Sequence, residues 1–113
     1  MRLDNFKAMK RANELELGTH KVIFEKIQYR TDDKDEVTGA FIHVRGFRSL
    51  FIPIFETENY QLDLLLAQLG CESYDDAEIN KFAGKEITCT RYQRETYTNV
   101  SFNPNPREVE EFA

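Results

Sequence analysis

The chain has no tryptophan, only two cysteines, three prolines and five glycines in 113 residues. Cys71 and Cys89 have no CxxC spacing, and two thiols are too few for the disulfide frameworks that hold small secreted domains together. The expectation is therefore a reduced, cytoplasmic protein. No apolar run approaches the ~18 residues of a membrane span. The opening stretch MRLDNFKAMKRANELEL also lacks the apolar segment of a signal peptide. Motifs that announce chemistry are missing too. There is no GxSxG, P-loop or GxGxxG. His20 and His43 belong to no HExxH or close Cys/His grouping that would ligate a metal. The run Asp32–Glu36 lacks the glycine and distal glutamate of an EF-hand loop and reads as a solvated hairpin tip. Cys89, among apolar strand neighbours, reads as a packed thiol rather than a nucleophile. These absences lead to the expectation of a protein that is not an enzyme, takes no cofactor or metal, and works by binding.

Much of what is present is ordinary. A hydrophobic share of 41% and a charged share of 31% are those of a globular chain. Its length suits one domain, expected over residues 1–104, followed by a mobile acidic tail over 105–113. Nine Phe and five Tyr are less ordinary for a core of this size. The net charge of −5 is unevenly spread. The stretch Glu56–Glu78 carries acids and no Lys or Arg, whereas Phe41–Phe55 carries Arg45 and Arg48 and no acid. Arg2, Lys7, Lys10 and Arg11 make the amino-terminal stretch basic. An acidic chain with basic strips can hold an anion locally, with strong salt sensitivity.

Periodicity divides the chain into elements. Leu3, Phe6 and Met9 recur at helical spacing and predict an amphipathic helix over Leu3–Leu15. Thr19–Tyr29 alternates as a strand, but Val22 and Phe24 are out of phase with Ile27 and Tyr29. A slip of one residue marks a β-bulge, which lets one strand serve two sheets. A polar loop, Thr31–Gly39, leads to a second strand, Ala40–Arg45, with Ile42 and Val44 opposed to Phe41, His43 and Arg45. The third strand, Ser49–Phe55, opposes Leu50, Ile52 and Ile54 to Phe51, Pro53 and Phe55. Pro53 has no N–H to donate and requires a sheet edge or a bulge. Asn59 is positioned to cap a helix carrying Leu62, Leu65, Leu66 and Leu69, closed by Gly70. Ser73 and Asp76 have capping-box spacing before a short helix through Ile79 and Phe82, ended by Gly84. Strands over Lys85–Tyr92 and Tyr97–Phe102 complete the chain.

Three strands, a helix and two strands is the chain order of the OB-fold, a five-stranded, partly open barrel. The expected fold class is thus mainly β with helices, an OB-like barrel plus the amino-terminal helix. Its third strand is apolar on both sides, where a strand with one wet face alternates with polar residues. Phe51 and Phe55 have Phe41, His43 and Arg45 beside them, with Phe47 and Arg48 at the connecting turn. Rings next to guanidinium groups suit a single-strand-binding groove, since bases stack on rings and cations neutralise phosphates. Arg91, Tyr92, Arg94 and Tyr97 around the last hairpin extend the candidate surface. Two other readings fit the same residues: a face packed under the amino-terminal helix, or a subunit or protein-partner interface.

The patterns GTHKVIFEKIQYR, FIHVRGFRSLFIPIF, LLAQLG, FAGKEITCTRY and YTNVSFNP, spread over Gly18–Pro104, resemble small proteins of phages and mobile elements. That resemblance implies an OB-like fold and a single-stranded DNA-binding or recombination-accessory role. The terminal EVEEF also resembles the acidic, Phe-containing tails of bacterial single-stranded DNA-binding proteins, although here Ala113 follows Phe112.

Overall fold

The computed structural model describes residues 14–105. Its organising element is β1, Gly18–Thr31, which pairs along its first half with one strand and along its second half with another. The switch occurs where the sequence phase slips. The pairing register shifts between Phe24 and Lys26, and the neighbouring residues Glu25 and Lys26 are both exposed. Val22 and Phe24 before the slip and Ile27 after it all reach the core. The bulge re-aims the strand so that both halves bury their apolar residues on the same side.

On one side of β1 lie β2, Val37–Val44, and β3, Leu50–Pro53; on the other lie β4, Glu86–Arg94, and β5, Tyr97–Ser101. All pairings are antiparallel and the order is β3-β2-β1-β4-β5, giving five strands among the described residues. The sheet is not closed: β3 and β5 are its two edges. Between β3 and β4 the chain forms α1, Tyr60–Leu69, then a short helix α2, Asp76–Ile79, and a 3₁₀ turn, Asn80–Phe82. The result is a mixed α/β domain whose core holds Phe24, Ile27, Ile42, Ile52, Leu65, Leu69, Ile79, Ile87, Cys89 and Phe102, all fully buried.

Side-chain amides from the helical segment stitch it to the sheet. Asn80 Oδ1 accepts from the Ile27 N–H at 2.7 Å, and its Nδ2 donates to the Ile27 carbonyl at 3.3 Å. β4 has ended at this level, so Asn80 stands in for a missing strand just beyond the bulge. Gln68 does the same for β4, accepting from Thr88 N–H and donating to the Thr88 and Phe102 carbonyls. Gln61 accepts from Phe102 N–H at 2.7 Å. Lys85 Nζ donates to the Leu69 carbonyl, closing the α1 end where Gly70 adopts φ 80°. Removing a partner from a buried N–H costs about 1–3 kcal/mol. Asn80→Ala is therefore expected to lower stability by about 2–3 kcal/mol, with Asn80→Asp, which keeps the acceptor, losing less. Urea denaturation midpoints of the three proteins check this.

Several boundaries differ from the sequence expectations. β2 starts at Val37 inside the predicted loop, because Asp32 closes a tight turn, its carboxylate accepting from the N–H groups of Lys34 and Glu36. β3 ends at Pro53, at an edge as its missing donor requires, so Phe55 lies beyond the strand. Asn59 occupies the N-cap position of α1, but its side chain turns back, accepting from Phe55 N–H and donating to the Phe55 carbonyl, each at 2.9 Å. The cap of α2 is Asp75, accepting from Ala77 N–H, while Ser73 Oγ holds Asp75 N–H one step earlier. The predicted amino-terminal helix lies outside the described residues except for Glu14 and Leu15, which are irregular; Leu15 is buried in the core. The acidic tail after Asn105 also lies outside them.

Candidate functional site

Alternation along the β1–β2–β3 half-sheet sends Ile27, Ala40, Ile42, Leu50 and Ile52 inward. It sends Lys26, Gln28, Arg30, Phe41, His43 and Phe51 outward. Phe41 and Phe51 face each other across the β2–β3 ladder, with ring centroids 5.1 Å apart and planes tilted by 51°. The Phe51 ring lies over Gly39, where an added Cβ would fall 2.3 Å from it. The Arg30 guanidinium lies over the same ring, 4.6 Å from its centroid, while its Nε donates to Thr38 Oγ1 at 3.1 Å. Phe51 remains 37% exposed, so the stack is open to solvent on its outer edge.

Beside the rings a groove of about 540 Å³ runs between the unpaired edges of β3 and β5. Phe41, Phe51, Arg48 and Leu50 line one wall and Thr98, Asn99 and Val100 the other, with Arg91, Leu15 and Glu14 at one end. Arg91 is largely spoken for: its Nη1 donates to the Leu15 carbonyl and its Nη2 pairs with Glu14 at 3.3 Å. Its side chain is 16% exposed. Arg48 makes no ion pair with any of the described residues and borders a second recess with Glu25, His43 and Phe47.

The sequence-predicted residues therefore divide. Phe41, Phe51 and Arg48 come together at the groove. His43, Phe47 and Arg48 share the second recess, and Arg45 beside them pairs with Glu25 at 3.5 Å, an exposed contact of small energetic weight. Phe55 is 62% exposed and belongs to a separate recess near the start of α1, with Pro53, Glu58 and Tyr60. On the last hairpin, Arg91 pairs with Val100 and lies against the groove, whereas Tyr92, Arg94 and Tyr97 fall on the opposite face by strand alternation. Lys26, Gln28 and Arg30 were not among the predicted site residues. The signal that finds them is the same phase slip, since core positions Ile27 and Tyr29 leave Lys26, Gln28 and Arg30 outward.

His43 Nε2 is buried without a hydrogen-bond partner. Desolvation, reinforced by Lys26 and opposed by Glu25, holds the imidazole below its usual pKa of 6.5. A group with a lowered folded pKa binds protons more readily when unfolded, so acid favours unfolding. The stability due to neutral His43 is fully present above the ordinary imidazole pKa and is lost as pH falls through the lowered folded value. His43→Phe is expected to flatten that dependence. Comparing urea midpoints of both proteins at about pH 7.5 and about pH 5.5 isolates the histidine from the carboxylates common to both. Equal pH dependence would show that His43 has no part in it.

The remaining candidates for chemistry are quiet. Burial raises the Cys89 thiol to about 11, against a smaller opposing effect of Arg91, so it stays protonated and unreactive. Cys71 is also free and buried. Tyr29 is raised to about 12, mainly by burial and then by Asp76 and Asp75, and its hydroxyl donates to the Tyr74 carbonyl. Among the described residues no group of three or more His, Cys, Asp or Glu converges as metal ligands, and no helix is long and apolar enough to cross a membrane. No family model and no curated protein matches the chain.

Proposed function

We propose that this chain binds single-stranded DNA on the outer face of β1–β2–β3 and along the β3–β5 groove, as a non-enzymatic accessory to phage or mobile-element DNA replication or recombination. The observation that carries the reading is the solvent-open Phe41–Phe51 pair with Arg30 stacked on it and Arg48 alongside. Each base has a π-face, so such rings accept any sequence, and the cations meet the phosphates between stacked bases. The strand-strand-strand-helix-strand-strand order and a long bulged β1 shared by two half-sheets support an OB-like barrel, open between β3 and β5. In that fold a strand-binding surface on the central strands is the familiar use.

The test is a titration of labelled oligo-dT with the full chain. Three cations, Lys26, Arg30 and Arg48, at about −0.7 per neutralised phosphate predict a log–log salt slope near −2, or about twentyfold weaker binding from about 50 to about 200 mM salt. No binding at low salt with protein at tens of micromolar, roughly the middle of the range of non-specific DNA affinities, would sink the reading. The exposed Phe55 and Tyr60 beside Pro53 favour a second function, docking of a protein partner or another copy. Light scattering on the full chain and on Phe55→Ser decides for the second copy if the parent associates and the variant does not.

A further inference from the structure

The β2–β3 turn carries an apolar side chain into solvent and holds it there. Phe47 is 41% exposed. Gly46 beside it adopts φ 82°, and the Phe47 N–H donates to the Val44 carbonyl at 3.4 Å. Arg45 and Arg48 stand on either side. Among the described residues the one acid paired with either is Glu25, 3.5 Å from Arg45. The turn thus presents an aromatic knob in a net positive collar.

The far end of β3 carries the opposite charge. The exposed Phe55 and Tyr60 border a recess of about 260 Å³ with Ile52, Pro53 and Glu58. Asn59 holds Phe55 through both its N–H and its carbonyl, so the recess is formed before anything enters it. Seven acids and no Lys or Arg lie from Glu56 to Glu78, beginning with Glu56 and Glu58 at the rim. Such a rim repels phosphates and anionic surfaces. The volume is below the ~300–1,000 Å³ of small-molecule pockets and suits one large side chain. What fits is an apolar side chain with cations around it.

We propose that this recess receives Phe47 of a second copy of the chain. The inference rests on the reading of the Phe55–Tyr60 recess as a docking surface and names its occupant; it does not need the DNA reading. Knob and recess lie at opposite ends of β3, with Leu50–Pro53 between them at about 3.3 Å per residue, so no copy fills its own recess. The contact is therefore head to tail. Each copy offers its turn to one neighbour and its recess to another. Burial of exposed aromatic surface drives the contact, and unlike charges select the partner and its orientation.

The experiment is sedimentation velocity on the full chain, on Phe47→Ser, on Phe55→Ser and on an equimolar mixture of the two variants. Both positions are exposed, and matching urea midpoints of the three proteins verify that each variant folds. The parent's mass is expected to rise with concentration and both single variants to stay monomeric. The mixture should reach about twice the monomer mass and stop there. One intact knob then meets one intact recess, and neither free end of the pair can extend it. Raising salt from about 50 to about 500 mM should weaken the parent's association, since the unlike charges are exposed. A parent that stays monomeric overturns the proposal. Association lost in Phe55→Ser but kept in Phe47→Ser also overturns it, and leaves the recess as a docking surface for a different occupant. Association kept in both variants removes the recess as the self-docking surface as well. Loss in both without recovery in the mixture overturns the head-to-tail contact. Association unmoved by salt overturns the charge matching that selects this occupant.

Discussion

Phe51→Leu is expected to weaken oligo-dT binding by about tenfold, since one stacked base is worth about 1–3 kcal/mol and 1.4 kcal/mol is a factor of ten. Leucine keeps apolar bulk over Gly39, so the β2–β3 ladder survives while the π-face is lost. Phe41→Leu should cost a similar factor. The double variant should lose less than the product of the two, because rings 5.1 Å apart share the base they support. Phe55→Leu is the control. It lies in a different recess, beyond the end of β3, and should change affinity by less than about twofold, as substitutions away from a contact usually do. Equal losses at Phe51 and Phe55 would mean that stacking on the ring pair is not what holds the strand. Fluorescence anisotropy at fixed low salt reads all four variants.

Phe24→Ala should produce the largest loss of stability. The ring is 0% exposed at the point where β1 changes partner, and its backbone is held through both its N–H and its carbonyl by the segment leading into β4. Its N–H donates to Lys85 at 2.9 Å and its carbonyl accepts from Gly84 at 2.7 Å. Truncating a buried Phe costs about 3–5 kcal/mol through lost transfer energy and the cavity left behind. Since domains of this size are stable by about 5–15 kcal/mol, a large share of the folded state's margin disappears. Gln28→Ala, on the outer face one turn of alternation past the bulge, should stay within about 0.5 kcal/mol. Urea denaturation with an unchanged m-value is the check. A Phe24→Ala cost below about 1 kcal/mol would be incompatible with a ring packed at native density.

Some of this organisation is legible residue by residue. The leucines at 62, 65, 66 and 69 can share one face only if the segment is helical, and all four are buried. The phase slip between Phe24 and Ile27 locates the bulge, because a period of two leaves no other way to keep both apolar sets inward. Pro53 lies at an edge because it has no donor. The errors have a common cause. Asn59 and Ser73 are short polar side chains whose partners are chosen by geometry, and each can serve several backbone groups. Asn59 holds Phe55 rather than the helix end, and that turn takes Phe55 away from Phe51.

The candidate site was half legible for the same reason. Phe41 and Phe51 follow from alternation, but Arg30 joins them only because β1 pairs with β2 in a register that sets Arg30 opposite Gly39. The absence of a side chain at Gly39 then leaves room for the Phe51 ring to lie beneath the guanidinium. Arg91 and Tyr92 are neighbours in sequence and lie on opposite faces in space. Local pattern is enough to decide which side chains leave water, because burial repeats with the period of the backbone. Long-range register decides which of the outward ones meet, and it is set by the bulge, the Asp32 turn and the amide bridges acting together. Hence the strands, the leucine helix and the bulge come from the sequence alone. The open β3–β5 groove and the ring–guanidinium stack exist only once those strands are assembled.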